Sequence, residues 1–71
     1  MDKQDLLIEY CISELVEIIA EEWDIAYDKA MNVLYNSDFI DKLCDKETNL
    51  YRESLSYLYE IFIDELNMQL L

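Results

Sequence analysis

The chain has 71 residues, 54% of them hydrophobic, and sets 17 acidic against 5 basic residues with no histidine, for a formal charge of −12. That length makes one domain, residues 1–71, burying only about 60% of its unfolded surface, and its apolar content excludes a disordered chain. The charge excludes direct nucleic-acid binding, which needs Lys and Arg to displace counterions, and docking on anionic membrane surfaces; it favours a protein partner with a basic surface.

Glycine and proline are both absent. Helices joined by Asn, Asp and Ser turns are therefore expected. The opening MDKQD is not that of a secretory signal, and no apolar run approaches the ~20 residues of a membrane span. Cys11 and Cys44 stand far apart without a CxxC pattern. A cytoplasmic protein with two reduced thiols is expected.

Gln4 to Trp23 has the longest helical periodicity and is the predicted central pillar. Leu7, Ile8, Cys11, Ile12, Leu15, Val16, Ile18, Ile19 and Trp23 share one face, while Glu9, Ser13, Glu14, Glu17 and Glu21 share the other. An apolar arc of about 180° exceeds the ~100° stripe of a surface helix, so this one must be covered from more than one side. Gln4 or Asp5 is the predicted cap, after a short lead-in. Asp24 is the predicted N-cap of a second helix at a tight corner, with Ala26, Tyr27, Ala30, Val33 and Leu34 inward and the two alanines allowing close approach. Ser37 is the predicted cap of a short helix, DFIDKLC, which turns Phe39, Ile40 and Leu43 inward. Lys42 and Lys46 fall near its end, where the helix dipole favours positive charge.

Residues 45–49 form the clearest loop, and Asn49 is the best candidate for a left-handed conformation in place of glycine. Leu50 and Tyr51 are its predicted anchors. Ser54 is the predicted cap of a long last helix. Its main face is Leu55, Leu58, Tyr59, Phe62, Ile63, Leu66 and Leu70, and Tyr57, Ile61 and Met68 make a flanking stripe. The expected fold is all-α: a small three- to four-helix bundle with long first, medium second, short third and long last helices.

Chemistry is scarce in this sequence. The commonest general base and metal ligand, histidine, is missing. Cys11 on an apolar face and Cys44 near acids are both in surroundings that raise a thiol's pKa, so both read as small hydrophobes. Acid pairs such as Glu17/Glu21 and Glu60/Asp64 read as solvated faces. Asp45, Glu47, Asn49 and Glu53 are spaced like calcium ligands, but Leu50 stands where such a loop needs Gly and Ser56 where it needs a bidentate Glu. No catalytic residue, metal or cofactor is expected.

Two surface features point to binding. Glu14, Glu17 and Glu21 form a carboxylate stripe with no Lys or Arg partner on the predicted helix, and Tyr10 projects onto the acidic side. Tyrosine offers large contact area at low entropic cost, so this face suits a basic partner. The alternative for the carboxylates is solubility alone. Tyr57, Ile61 and Met68 must meet a neighbouring helix, a second copy or a partner.

The segments LIEYCISEL, AYDKAMNVLYNSDFIDKL and TNLYRESLSYLYEIFIDEL resemble a group of small uncharacterised bacterial proteins, nearest to the domain-of-unknown-function family numbered 3791. Tyr35, Ser37, Thr48, Tyr51, Ser54 and Tyr57 carry that pattern, though a Leu-His-Thr segment associated with the family is absent. The resemblance implies an all-helical fold with no established activity, and an antitoxin or accessory role beside a toxin-like enzyme. The function expected is a small acidic cytoplasmic interaction module, not an enzyme, that inhibits a basic protein partner. Its alternatives are a nucleic-acid mimic that blocks a DNA- or RNA-binding protein, and a structural homodimer.

Overall fold

The computed structural model of the protein describes residues 2–69, and of residue 69 the backbone alone. Four α-helices follow in order: α1 Lys3–Trp23, α2 Tyr27–Tyr35, α3 Asp38–Cys44 and α4 Leu55–Gln69. Two single 3₁₀ turns, Lys46–Thr48 and Leu50–Arg52, link α3 to α4. No strand occurs among the described residues, and the fold is a small all-α bundle.

At 1.5 Å per residue α1 is roughly 31 Å long, which is the whole long dimension of the molecule, 32 Å. It is the pillar, and its apolar arc is covered from several sides by α2, α4 and the second 3₁₀ turn. Ile8, Cys11, Leu15, Val16 and Ile19 are buried along it, with Leu15 and Ile19 at 0% exposure. Ile12 and Ile18 pack at the edges of the same core. Two residues expected on that face are not covered. Leu7 is exposed, because the 3₁₀ turn at that end reaches Gln4 and Cys11 and leaves Leu7 at the rim. Trp23, in the final turn, is 37% exposed. Its ring stacks on Phe62 at 6.2 Å, and its Nε1–H donates to the Tyr59 hydroxyl at 3.1 Å.

The cap of α1 lies two or three residues earlier than the expected Gln4 or Asp5. Asp2 is the cap, its Oδ1 accepting from the Asp5 N–H at 2.9 Å. At the other end Asp24 ends α1 and does not start α2. Its backbone is left-handed, φ 53° and ψ 51°. The Asp24 N–H donates to the Glu21 carbonyl and the Ile25 N–H to the Ala20 carbonyl. This pair of bonds is the Schellman ending that normally uses glycine, and aspartate is among the few residues that tolerate it. α2 then starts at Tyr27, with Ala26 at the N-cap position and no side-chain cap. Ala26 and Tyr27 are exposed, so Ala30, fully buried, makes the close approach to α1 by itself.

α3 has the predicted limits, with Phe39, Ile40 and Leu43 buried. Ser37 holds the N-cap position, but its hydroxyl turns back to donate to the Leu34 carbonyl at 2.6 Å, closing α2 rather than opening α3. Asn49 is left-handed at φ 57°, as predicted. Behind it Tyr51 is buried and accepts a hydrogen bond at its hydroxyl from Gln4 Nε2, 2.9 Å away. Ser54 Oγ accepts from the Tyr57 N–H at 3.2 Å, capping α4. On α4, Leu58 and Phe62 are fully buried, while Leu55, Tyr59, Ile63 and Leu66 pack around them; Leu70 lies outside the described residues. Phe62 is the aromatic centre, meeting Phe39 edge-on at 5.8 Å and Tyr59 at 6.4 Å as well as Trp23. Such pairs add about 0.5–1.5 kcal/mol each beyond area burial.

Leu15→Ala is expected to cost about 2–5 kcal/mol in chemical denaturation, since the cavity opens against the best-covered stretch of α1. A change below about 0.5 kcal/mol, the range of surface sites, would show that this face is not the core. Asp24→Gly is expected to raise stability by about 0.5–1 kcal/mol. It relieves left-handed strain and removes a negative charge from the negative end of the α1 dipole. Thermal melts of the two proteins side by side check it.

Candidate functional site

The open side of α1 carries the row that the sequence singled out. Tyr10 is 56% exposed, Glu17 and Glu21 are exposed, and Glu14 is half-buried. Their spacing of four, three and four residues keeps them on one face of a helix that is straight enough to span the molecule. None of the ion pairs among the described residues involves Glu14, Glu17 or Glu21. Two of the cations go elsewhere. Lys42 of α3 pairs with Glu65 of α4, and Lys46 bridges Asp2 and Asp5 at 3.2 and 3.1 Å, tying the first 3₁₀ turn to the start of α1.

These pairings leave their mark on titration. The Asp5 N–H and then Lys46 hold the Asp2 carboxyl below the usual carboxylate range. The carboxylates of Asp5 and Asp2 raise Lys46, and Glu65 raises Lys42. Both thiols are pushed up, Cys11 by burial and Cys44 by desolvation with a smaller contribution from Asp41. Cys11 donates its S–H to the Tyr51 carbonyl at 3.5 Å. Neither thiol has the cationic neighbour that would make it a nucleophile.

Two hydrophobic residues beside the row had no place in the sequence reading of the site. Leu6 and Leu7 are both exposed, and with Lys3 they border an open hollow of about 280 Å³ one turn from Tyr10. Continuing the row from Glu14 toward the N-terminus at the same spacing, through Tyr10 to Leu7 and Lys3, was the signal that could have found Leu7, with Leu6 beside it.

The α4 stripe does not form one surface. Ile61 is half-buried and packs against the core, because the middle of α4 lies over it. Tyr57 and Met68 lie toward the helix ends and are exposed, Met68 at 72%. Met68 borders a hollow of about 260 Å³ with Asp38, Lys42 and Glu65. A third hollow, of about 420 Å³, runs over Tyr59, Glu60, Ile63 and Asp64. All are open depressions.

The calcium-like spacing after α3 is used for turns. Asp45 Oδ1 accepts from the Glu47 N–H at 3.0 Å, and Thr48 Oγ1 lies 2.8 Å from both the Lys42 and Asp45 carbonyls. Among the described residues no three His, Cys, Asp or Glu side chains are grouped to hold a metal ion, and no helix is long and apolar enough to cross a membrane.

No family model, curated protein or solved structure matches the chain. Of the six residues that carry the family resemblance, Ser37, Thr48, Tyr51 and Ser54 close turns or anchor the loop. Tyr35 and Tyr57 are exposed.

Asp2→Asn keeps a capping side chain and removes its charge. Because the Asp2 pKa is lowered by folding, its charged form adds stability above the unfolded value and loses it as pH falls through the folded one. The advantage of the wild type over Asp2→Asn is therefore expected at neutral pH and should vanish between about pH 5 and pH 2, read as the difference of melting temperatures along a pH series.

Proposed function

We propose that this protein is a cytoplasmic binding module, not an enzyme, that holds a protein partner with a basic surface through the open face of α1. Tyr10, Glu14, Glu17 and Glu21 are the residues that would meet the partner. One observation carries the reading. Three carboxylates and a tyrosine stand in register on the longest helix, and no ion pair among the described residues involves any of the three carboxylates. Bringing like charges to one face costs self-repulsion, which a basic surface relieves on binding, and long-range attraction speeds the encounter. The inhibitory, antitoxin-like form of this role comes from the family resemblance carried by residues 7–15, 26–43 and 48–66. The absence of histidine and the raised thiols support a role without catalysis.

The test is affinity capture from a lysate of the host at low and at raised salt, with the wild type and Glu17→Lys. Glu17→Lys is expected to lower recovery of the specific partner several-fold, with folding stability unchanged to within about 0.5 kcal/mol, as for an exposed site. Raised salt should lower wild-type recovery in the same way, because exposed charges are screened. A partner captured equally by both proteins at both salts would refute the proposal, and so would capture of no specific partner.

A further inference from the structure

The exposed face of α1 extends beyond its acids. Lys3, Leu7, Tyr10, Glu14, Glu17 and Glu21 recur at steps of four, three, four, three and four. That alternation is the heptad spacing by which one helix presents a continuous seam to another. The seam is roughly 27 Å long at 1.5 Å per residue, about five turns. Leu6 flanks it at the N-terminal end. Along this line, beyond Lys3, the character changes once. Leu6, Leu7 and Tyr10, all about half exposed, make the N-terminal half apolar, with the 280 Å³ hollow bordered by Lys3, Leu6 and Leu7. Glu14, Glu17 and Glu21 make the other half anionic.

We infer that the partner element is a single amphipathic helix, apolar in one half of its contact stripe and Lys- or Arg-rich in the other, docked along this α1 seam. The inference rests on the basic-partner reading and adds the shape and polarity of what binds. A helix matches the seam with i, i+3, i+4 and i+7 anchors. Charge chooses among helices. A second copy in parallel would lay Glu14, Glu17 and Glu21 against their own counterparts, and an antiparallel one offers only Lys3 to the acid end, between chains that each carry −12. A basic helix has cations for all three glutamates. Lys3 also fixes polarity, since it repels a cation at the apolar end and so sends the basic half toward Glu21.

Two designs of a 21-residue helical peptide, identical in composition and charge, test this. In the first, Leu occupies the a and d positions of one half and Arg those of the other; it is made in both directions of sequence, so that parallel and antiparallel docking are both sampled. In the second, the same residues are dispersed around the helix. Fluorescence anisotropy at low salt should show at least tenfold tighter binding of the better-ordered direction than of the dispersed peptide, with peptide helicity rising by circular dichroism. The decisive variant is Leu7→Asp. It adds negative charge, so attraction by charge alone would hold or tighten the complex, whereas docking along the seam should weaken it at least tenfold. Leu7 is exposed in the free protein, and circular dichroism of the variant checks that the fold is kept. Equal binding of ordered and dispersed peptides, or undiminished binding to Leu7→Asp, would overturn the docked helix while leaving the basic-partner reading to its own salt and Glu17→Lys experiment. Binding of none of the peptides would overturn it as well. So would a concentration-dependent dimer abolished by Leu7→Asp, which makes a second copy the occupant.

Discussion

The structure depends on covering one helix. The apolar arc of α1 is too wide for a single neighbour, and leaving Leu15 or Ile19 in water would forfeit about 1.5–3 kcal/mol for each. Every later element answers that demand. α2 doubles back with Ala30 and Leu34 against the core, the second 3₁₀ turn lowers Tyr51 into it, and α4 crosses with Leu58 and Phe62. The chain must do this without glycine or proline. It reverses direction where aspartate and asparagine accept positive φ, at Asp24 and Asn49, and where the Ser37 hydroxyl closes the end of α2. In a domain this small the net stability is slight, so the cost of two left-handed non-glycine residues is tolerable only because the buried face is continuous.

Polar ties add placement more than energy. Lys46 to Asp2 and Asp5 is an exposed cluster, and exposed ion pairs contribute about 0–1 kcal/mol. What these ties do is join distant parts of the chain: the 3₁₀ turn to the start of α1, and α3 to α4 through Lys42 and Glu65. Of the five basic residues in the chain two are used at seams, and α1 itself carries only Lys3, at the opposite end from Glu21. The same bundle that hides the Ile8–Ile19 side therefore presents Glu14, Glu17 and Glu21 outward in fixed register. Fold and surface chemistry are two consequences of one amphipathic helix.

Much of this was legible from residue order. The periodicity of residues 4–23 marks α1 as the pillar, the limits of α3 follow from DFIDKLC, and the handed turn at Asn49, the buried Tyr51 and the Ser54 cap each follow from local chemistry. These are properties of a segment and its immediate neighbours, and they survive in any tertiary setting that buries the apolar side. The misreadings share a cause. Asp24 can cap a following helix or end a preceding one, and its side chain suits both. The choice went to the α1 ending because the chain had to bend back at once to cover that helix. Ser37 has an equally ambiguous hydroxyl. Leu7, Trp23 and Tyr27 are apolar at positions that a helical wheel turns inward, yet a wheel has no ends and no neighbours.

The sequence by itself determined an all-α domain, its pillar, most of its core and the acidic row with Tyr10, because periodicity and charge are written one residue after another. Only the tertiary structure decided which apolar residues were left uncovered. Coverage depends on where the neighbouring elements lie: the 3₁₀ turn meets Gln4 and Cys11 and leaves Leu7 at the rim, the middle of α4 takes Ile61 into the packing, and its end leaves Met68 in water. That is a matter of lengths and crossing positions in three dimensions, and no single stretch of chain encodes it.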